Sequence, residues 1–137
     1  MNRAYTFGLL ALVALVALML TALVAGSAQA GSEIRQEVEL ELMPSKAMPG
    51  ATGEAELELR IDDEGAIDFQ ARARAEGLME GGKFALYVDG VLVDKDEAEG
   101  GGVDFDEDPE VTFTTLSGLM VTITDSTGEV VLHAHIP

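Results

Sequence analysis

Three segments decide the fold: EIRQEVELELM at residues 33–43, GEAELELRI at residues 53–61 and AIDFQARARAE at residues 66–76. In each segment, apolar and polar residues alternate with a period of two. Alternation of this kind places the apolar side chains on one face of a β-strand and the polar side chains on the other. Glutamate and leucine favour helices by propensity, but on a helix the same alternation would spread the apolar residues around the whole circumference. The pattern therefore predicts three half-buried strands.

The polar faces of the second and third segments carry opposite charges. Glutamates alternate along residues 53–61, whereas Arg72 and Arg74 lie on the polar face of the third segment. The sequence DDEG at residues 62–65 is a turn signal between them. Oppositely charged side chains that face each other across a strand pair contribute about 0.2–1 kcal/mol each. We therefore expect these two segments to pair, rather than two rows of glutamates.

Shorter β-rich segments fill the rest of the chain. The dipeptide Asp89-Gly90 lies between two of them and is typical of a tight hairpin, because such a turn needs positive φ. Residues 97–109 are rich in glycine and acidic residues, and we expect a loop there that contains a short edge strand. The further predicted strands are residues 84–89, 91–96, 103–105, 110–116, 119–124 and 129–136. About eight short strands without a convincing helix indicate an antiparallel β-sandwich or a flattened barrel.

The first 30 residues have the features of a secretory signal peptide. Arg3 provides a positive start, residues 7–25 are an apolar run, and Ala28-Gln29-Ala30 matches a small-residue cleavage site. The run of 19 residues is also close to the ~20 residues that span a bilayer, so an uncleaved membrane anchor is the alternative. We expect a secreted or periplasmic protein that contacts a membrane only through this leader, if the leader is kept.

The charge of the remaining chain narrows the range of functions. Residues 31–137 hold all 25 acidic residues and seven of the eight basic residues, which gives a formal charge of −18. Binding to nucleic acid through a basic face is not expected, because neutralising phosphates requires clustered lysines and arginines. The sequence contains no cysteine, which excludes disulfides and thiolate chemistry. The acidity has two interpretations: adaptation to salt, or a surface that binds a cationic or protein partner.

One stretch resembles a known family. Gly53-Glu54-Ala55 opens a strand, and the motif Gly77-Leu78-Met79-Glu80-Gly81 leads into the apolar residues 84–88. This order resembles secreted domains of the chordin-type (CHRD) class and the related copper–zinc superoxide dismutase sandwich, across residues 53–93. In those domains a strand ends in Gly-Leu-x-x-Gly and the next strand carries His-x-His.

The resemblance implies the fold without the redox metal site. At the position of the copper-binding His pair this chain has Leu86, Tyr87 and Val88, and its first histidine is His133. We therefore carry over no catalytic residue. The expected fold of residues 31–137 is a single antiparallel β-sandwich, immunoglobulin-like or superoxide-dismutase-like.

His133-Ala134-His135 is a candidate metal site. Residues two apart on a strand face the same way, so both imidazoles can reach one Zn²⁺ or Cu²⁺ ion. The alternative is a polar outer face on the last strand, with Val130, Leu132, Ala134 and Ile136 packed inward.

The acidic segment at residues 104–110 is a candidate calcium site. Asp104, Asp106 and Asp108 alternate as at the start of a calcium loop. An EF-hand needs glycine at its sixth position and glutamate at its twelfth, where this chain has Pro109 and Thr115. A calcium site of another kind is one hypothesis, and a solvated acidic loop is the other.

Catalysis has little support in the sequence. There is no Gly-x-Ser-x-Gly elbow, and a serine triad would have to recruit one of the two histidines near the C-terminus. The chain has no tryptophan and only two tyrosines, which disfavours a sugar-binding cleft, although 25 acidic residues allow many carboxylate pairs. We predict an exported, non-catalytic binding or structural module of the envelope or extracellular space, without a cofactor. The alternatives are a protein that binds Ca²⁺, Zn²⁺ or Cu²⁺, and a small hydrolase.

Overall fold

The computed structural model describes residues 33–137, so the predicted signal peptide lies outside the described residues. That part of the chain contains eight β-strands. No helix that could cross a membrane occurs in it. The strands are β1 Ile34–Pro44, β2 Thr52–Ile61, β3 Ile67–Glu76, β4 Lys83–Val88, β5 Val91–Glu97, β6 Val103–Glu107, β7 Met120–Thr124 and β8 Val130–His135.

All eight strands belong to one antiparallel sheet with the order β5-β4-β7-β8-β1-β2-β3-β6. The two edge strands, β5 and β6, approach each other, so the sheet nearly closes into a barrel. The backbone N–H of Asp104 on β6 donates to Oδ2 of Asp96 on β5 at 3.2 Å. The predicted all-β, antiparallel fold of about eight short strands is confirmed. The strands lie in one nearly closed, barrel-like sheet, as in the flattened barrel, whereas the β-sandwich expected for residues 31–137 stays a prediction.

The interior of the barrel follows the predicted alternation of β1, β2 and β3. Val38 faces Leu57, which in turn faces Ala71, and all three side chains are fully buried. Leu40, Ala55 and Ala73 repeat this arrangement two positions away. The polar residues between them point outward, so the register of the apolar residues also determines which charges face each other.

The predicted pairing of β2 with β3 is confirmed. Glu54 lies opposite Arg74, and Glu56 lies opposite Arg72. However, the other edge of β2 pairs with β1 and brings two rows of glutamates together. Opposite charges therefore face each other in the β2–β3 pair, whereas like charges face each other in the β1–β2 pair, where burial of the apolar faces outweighs the repulsion.

Two turns use the same local structure. Asp62 and Asp125 each open a turn in which the carboxylate accepts hydrogen bonds from backbone N–H groups two and four residues later. The fourth residue of each turn is a glycine with φ of +85°, Gly65 and Gly128. Aspartate side chains commonly close such turns, and glycine supplies the positive φ. The turn predicted at residues 62–65 is confirmed, and the sequence DSTG at residues 125–128 forms the same turn.

The predicted strand at residues 110–116 is wrong. This segment makes no ladder with any described strand and instead covers the barrel as part of the connection from β6 to β7. The ring of Phe113 packs edge-on against Phe69, with ring centroids 5.0 Å apart. The backbone N–H of Leu116 donates to the side-chain oxygen of Gln36 at 2.8 Å. In this segment the apolar side chains pack on the barrel and a backbone N–H is bonded to a side chain, so the alternation does not reflect strand pairing.

The predicted acidic loop is also corrected in part. Residues 103–107 form β6, two residues longer than the predicted edge strand, and they pair with β3. Asp104 and Asp106 therefore lie on a strand rather than in a loop. The reason is that Val103 and Phe105 are buried in the barrel, which turns the intervening aspartates outward.

Candidate functional site

The outer surface of β1 and β2 carries three glutamate pairs in register. Glu37 faces Glu58, Glu39 faces Glu56 and Glu41 faces Glu54, and we call these six residues the glutamate ladder. Residues directly opposite in an antiparallel pair have Cβ atoms about 4.5–5.5 Å apart, and like charges at this distance are destabilising. Successive rungs are separated by two residues, which is about 6.8 Å along a strand. The ladder is therefore a regular array of negative charge.

Arginines neutralise one end of the ladder. Nη2 of Arg35 lies 2.9 Å from Glu37 and 3.4 Å from Glu58, and Nε of Arg60 lies 2.6 Å from Glu58. These contacts raise the pKa of Arg35, chiefly through the hydrogen bond with Glu37. In the described part of the chain, the other two rungs have no ion pair; they are Glu39, Glu41, Glu54 and Glu56.

The arginines of β3 form their close ion pairs with aspartates of β6. Nε of Arg74 lies 2.9 Å from Oδ1 of Asp104, and Nε of Arg72 lies 3.4 Å from Oδ1 of Asp106. The hydrogen bond with Asp104 is the main reason that the pKa of Arg74 is raised. Arg72 and Arg74 lie opposite Glu56 and Glu54 in the β2–β3 register, and the charge of Glu54 also helps to raise the pKa of Arg74, but neither arginine forms an ion pair with these glutamates.

The structure places two of the three predicted calcium residues on β6. Asp104 and Asp106 lie on β6 beside arginines, whereas Asp108 follows the end of that strand and is exposed. Within residues 33–137, no group of three or more histidine, aspartate or glutamate side chains is arranged to hold a metal ion. The calcium hypothesis stays a prediction, and any ion there would compete with two guanidinium groups for the same carboxylates.

The predicted histidine pair lies on the outer face of β8. His133 and His135 are exposed, while Leu132, Ala134 and Ile136 are buried, as the alternation predicts. The alternation does not extend to the start of the strand, where Val130 is half-buried and Val131 is buried. Nδ1 of His133 lies 3.3 Å from the carbonyl oxygen of Met43 on β1. Metal binding by the pair stays a prediction.

The sequence analysis missed the neighbours of these histidines. Met43 on β1 lies directly opposite His133, and Met120 on β7 lies directly opposite His135. No local pattern could have shown this, because strand neighbours from distant parts of the chain are set only when the sheet forms.

Comparison with protein-family models, with curated proteins and with solved structures finds no match to this chain. The resemblance to chordin-type and superoxide dismutase domains therefore stays a prediction. At the positions where that family carries its copper-binding histidines, Leu86 and Val88 are buried in the barrel.

Proposed function

We propose that this protein is an exported, non-catalytic binding module, and that the glutamate ladder binds a basic, extended segment of a protein partner. The observation that carries the proposal is the two rungs that form no ion pair among the described residues, Glu39 with Glu56 and Glu41 with Glu54. Their like charges oppose folding, and a cationic ligand would remove this repulsion. The resemblance to secreted CHRD domains fits a role outside the cytoplasm.

The spacing of the ladder favours an extended ligand. Along each strand, glutamates recur every second residue, or about every 6.8 Å. Lysines or arginines at alternate positions of an extended peptide have the same repeat. A partner with this pattern can therefore place one cation near each rung.

The non-catalytic part of the proposal rests on how polar groups are distributed. In the described chain, Thr124 is the single polar residue among those buried. The pKa shifts of Arg35 and Arg74 follow from exposed ion pairs, and that of Asp125 follows from a turn. Active sites usually perturb the pKa of a group by burying it in a cleft, and these three groups are exposed.

Peptide binding tests the ladder. Two synthetic peptides of equal composition are compared, one with lysine at every second position alternating with threonine, the other with all its lysines in one block. Their affinities are measured by fluorescence anisotropy at physiological ionic strength. We expect tighter binding of the alternating peptide, and about tenfold weaker binding when four carboxylates of the ladder become amides, because exposed ion pairs contribute about 0.2–1 kcal/mol each. The variant changes Glu39, Glu41, Glu54 and Glu56 to glutamine.

A matched control removes the same number of charges from exposed sites elsewhere. It changes Asp63 to asparagine and Glu64, Glu99 and Glu110 to glutamine. We expect the control to bind the alternating peptide within about twofold of the wild-type affinity, because screening limits interactions beyond about 8 Å at physiological salt. Equal losses in both variants would show that only net charge matters and would contradict a site on the ladder.

Export is tested separately by mass spectrometry of the protein recovered outside the cytoplasm. The proposed cleavage after Ala30 gives a chain that begins at Gly31. A recovered chain that retains residues 1–30 would support the membrane-anchor alternative.

A second candidate function is metal binding by His133 and His135. The observation that favours it is the contact of 3.3 Å between Nδ1 of His133 and the carbonyl oxygen of Met43. Histidines that bind metals commonly donate their other ring N–H to such a carbonyl, which orients the ring.

A further inference from the structure

One edge of β1 is unpaired along most of its length. β2 pairs with residues 34–42 on one side of β1, whereas β8 pairs only with Met43 and Pro44 on the other side. β8 continues beside β7 as far as His135, so its pairing with β1 ends at Met43. Within residues 33–137, no strand pairs with the second edge of residues 34–42.

The beginning of β1 has another neighbour. The backbone N–H of Leu116 donates to Oε1 of Gln36 at 2.8 Å, so the connection from β6 to β7 approaches the strand there. The open part of the edge is therefore residues 37–42, between this contact and the pairing of Met43 with His133. We call residues 37–42 the β1 edge, and six residues match the usual length of a β-strand.

A backbone hydrogen bond shows which residues direct their main-chain groups toward this edge. The N–H of Ser45, the residue after β1, donates to the carbonyl oxygen of Val131 at 2.9 Å, on the side of β8. Residues two apart in a strand direct their N–H and C=O groups to the same side. The odd-numbered residues of β1, which include Glu37, Glu39 and Glu41, therefore direct theirs toward the β1 edge.

The pairing of β2 gives the same assignment. The N–H of Asp62, the residue after β2, donates to the carbonyl oxygen of Ala66 at 3.0 Å, on the side of β3. Even-numbered residues of β2 therefore bond to β3, and odd-numbered residues bond to β1. Odd-numbered residues of β2 lie opposite even-numbered residues of β1, so the odd-numbered residues of β1 are not the ones that bond to β2.

The glutamates of β1 thus combine an acidic side chain on the outer face with main-chain groups that point to the β1 edge. We propose that the cationic partner of the glutamate ladder binds by adding an antiparallel strand to the β1 edge, with basic and apolar residues in alternation. Every strand pair in the described sheet is antiparallel. This inference rests on the proposed function and specifies how the partner binds.

The geometry of strand addition determines where the partner needs its charges. The added strand would lie about 4.8 Å from β1, and three of its residues would form hydrogen-bonded pairs with Glu37, Glu39 and Glu41. Residues directly opposite each other in an antiparallel pair share a face of the sheet, so these three side chains would lie on the outer face beside the glutamates. Lysine or arginine at these positions replaces repulsion within the ladder by attraction.

The positions between the basic residues would lie on the inner face. Their neighbours on β1 are Val38 and Leu40, which are both buried. A β-branched apolar residue such as valine suits such a position on a half-buried strand. The pattern that fits the β1 edge is therefore basic residues at every second position with apolar residues between them.

A second copy of this chain does not fit the β1 edge. Antiparallel pairing of two β1 strands across this edge would set the glutamates of both copies against each other on the outer face. Like charges directly opposite are destabilising, and charged side chains on an edge strand commonly prevent such self-pairing. Charge complementarity therefore favours a basic partner.

The test compares three peptides that alternate lysine with valine. One is unmodified, one carries methyl groups on the amide nitrogens of three lysines, and the matched control carries them on three valines. In the proposed pairing the lysine amides donate to β1 and the valine amides point away from it. Fluorescence anisotropy should show at least about tenfold weaker binding of the lysine-methylated peptide, because three main-chain hydrogen bonds are lost. The valine-methylated peptide should bind within about threefold of the unmodified one.

Amide hydrogen exchange, followed by nuclear magnetic resonance, gives a second readout on the wild-type protein. In the free protein the amide of Glu39 should exchange faster than those of Val38 and Leu40, because only the latter two bond to β2. A saturating amount of the unmodified peptide should slow exchange at Glu39 by at least about tenfold. This measurement needs no variant, so it does not depend on whether a substitution disturbs folding.

The outcomes separate the inference from the function on which it rests. Suppose the four-glutamine variant of the ladder binds the unmodified peptide more weakly than wild type does. If the lysine-methylated peptide then binds no more weakly than the valine-methylated one, and exchange at Glu39 stays fast, the proposed function stands and strand addition is overturned. If wild type binds the unmodified peptide no more tightly than the variant does, both fail.

Two further outcomes concern the occupant of the edge. If the free protein is a dimer in which the amide of Glu39 is already protected, a second copy occupies the β1 edge and the inference is overturned. A loss confined to the lysine-methylated peptide, together with slowed exchange at Glu39, supports both the inference and the proposed function.

Discussion

Glu39 lies directly opposite Glu56 across the β1–β2 ladder, with both side chains on the outer face of the barrel. The neighbouring pair of Val38 and Leu57 is fully buried on the inner face. Because side chains alternate, a register that buries the apolar pair also sets the two glutamates against each other. Burial of a large aliphatic side chain contributes about 1.5–3 kcal/mol, which exceeds the cost of one exposed like-charge pair.

The stability of the protein should increase with salt because of this repulsion. The Debye length falls from about 30 Å at 0.01 M to about 8 Å at 0.15 M, so added NaCl screens the rungs of the glutamate ladder. We expect the melting temperature to rise over this range, as measured by circular dichroism. A flat or falling melting temperature would remove the argument that the ladder is under electrostatic strain.

The Glu39→Lys variant should be more stable than wild type at low salt, by about 0.2–1 kcal/mol. The substitution converts the central like-charge pair into an opposite-charge pair with Glu56. The control is Glu110→Lys, which changes the net charge equally at an exposed position outside the ladder. Chemical denaturation of the two variants measures the difference, and equal stabilisation would show that the effect comes from net charge alone.

The Gly77→Ala variant should be destabilised more than Gly65→Ala. Both glycines have positive φ, +75° and +85°, where a side chain costs about 1–2 kcal/mol. A Cβ atom at Gly77 would lie 2.6 Å from the carbonyl oxygen of Gly50, whereas nothing lies within 4 Å of one at Gly65. The difference in unfolding free energy between the two variants isolates the close backbone approach, and equal losses would contradict it.

The turn at Asp125 should make stability depend on pH. The hydroxyl and backbone N–H of Thr127 donate to Oδ1 of Asp125 at 2.6 and 2.9 Å, and these bonds lower its pKa below the ordinary value of 3.8. A carboxylate with a lowered pKa stabilises the folded state above its unfolded pKa, and this contribution disappears as pH falls through the folded pKa.

We therefore expect Asp125→Asn to melt below wild type at neutral pH, with a difference that shrinks at pH values below the ordinary pKa of 3.8. The control is Asp63→Asn, an exposed aspartate in the β2–β3 turn. Melting curves of the three proteins across this pH range provide the measurement. If the difference in melting temperature between Asp125→Asn and wild type stays constant as the pH falls, the ionised form of Asp125 is not what stabilises the turn.

Calcium should stabilise the wild-type protein no more than NaCl of equal ionic strength. Asp104 and Asp106, two of the three predicted ligands, are paired with Arg74 and Arg72. A ligand that binds only the folded state raises its stability, so melting curves in millimolar CaCl₂ are a direct check. A calcium-specific rise that Asp104→Asn abolishes would instead support a calcium site on β6.

Much of the fold was predictable because its signals are local. The alternation in residues 33–76 gave the inner and outer faces of three strands, since the side-chain period of a strand depends only on its own residues. The turns at Asp62 and Asp125 were predictable for a similar reason, because an aspartate and a glycine three residues later close such a loop by themselves. The same local signal failed at residues 110–116, where alternation reflects packing over the barrel without a partner strand.

The sequence by itself determined that this chain forms antiparallel strands with an acidic outer surface and that His133 and His135 share one face. Only the tertiary structure decided which strands are neighbours. Met43 and His133 are 90 residues apart, yet they face each other because β1 extends past β2 and pairs with β8. Hydrogen bonds between strands depend on the whole arrangement of the sheet, so no single segment determines the glutamate ladder or the pairing of Met43 with His133.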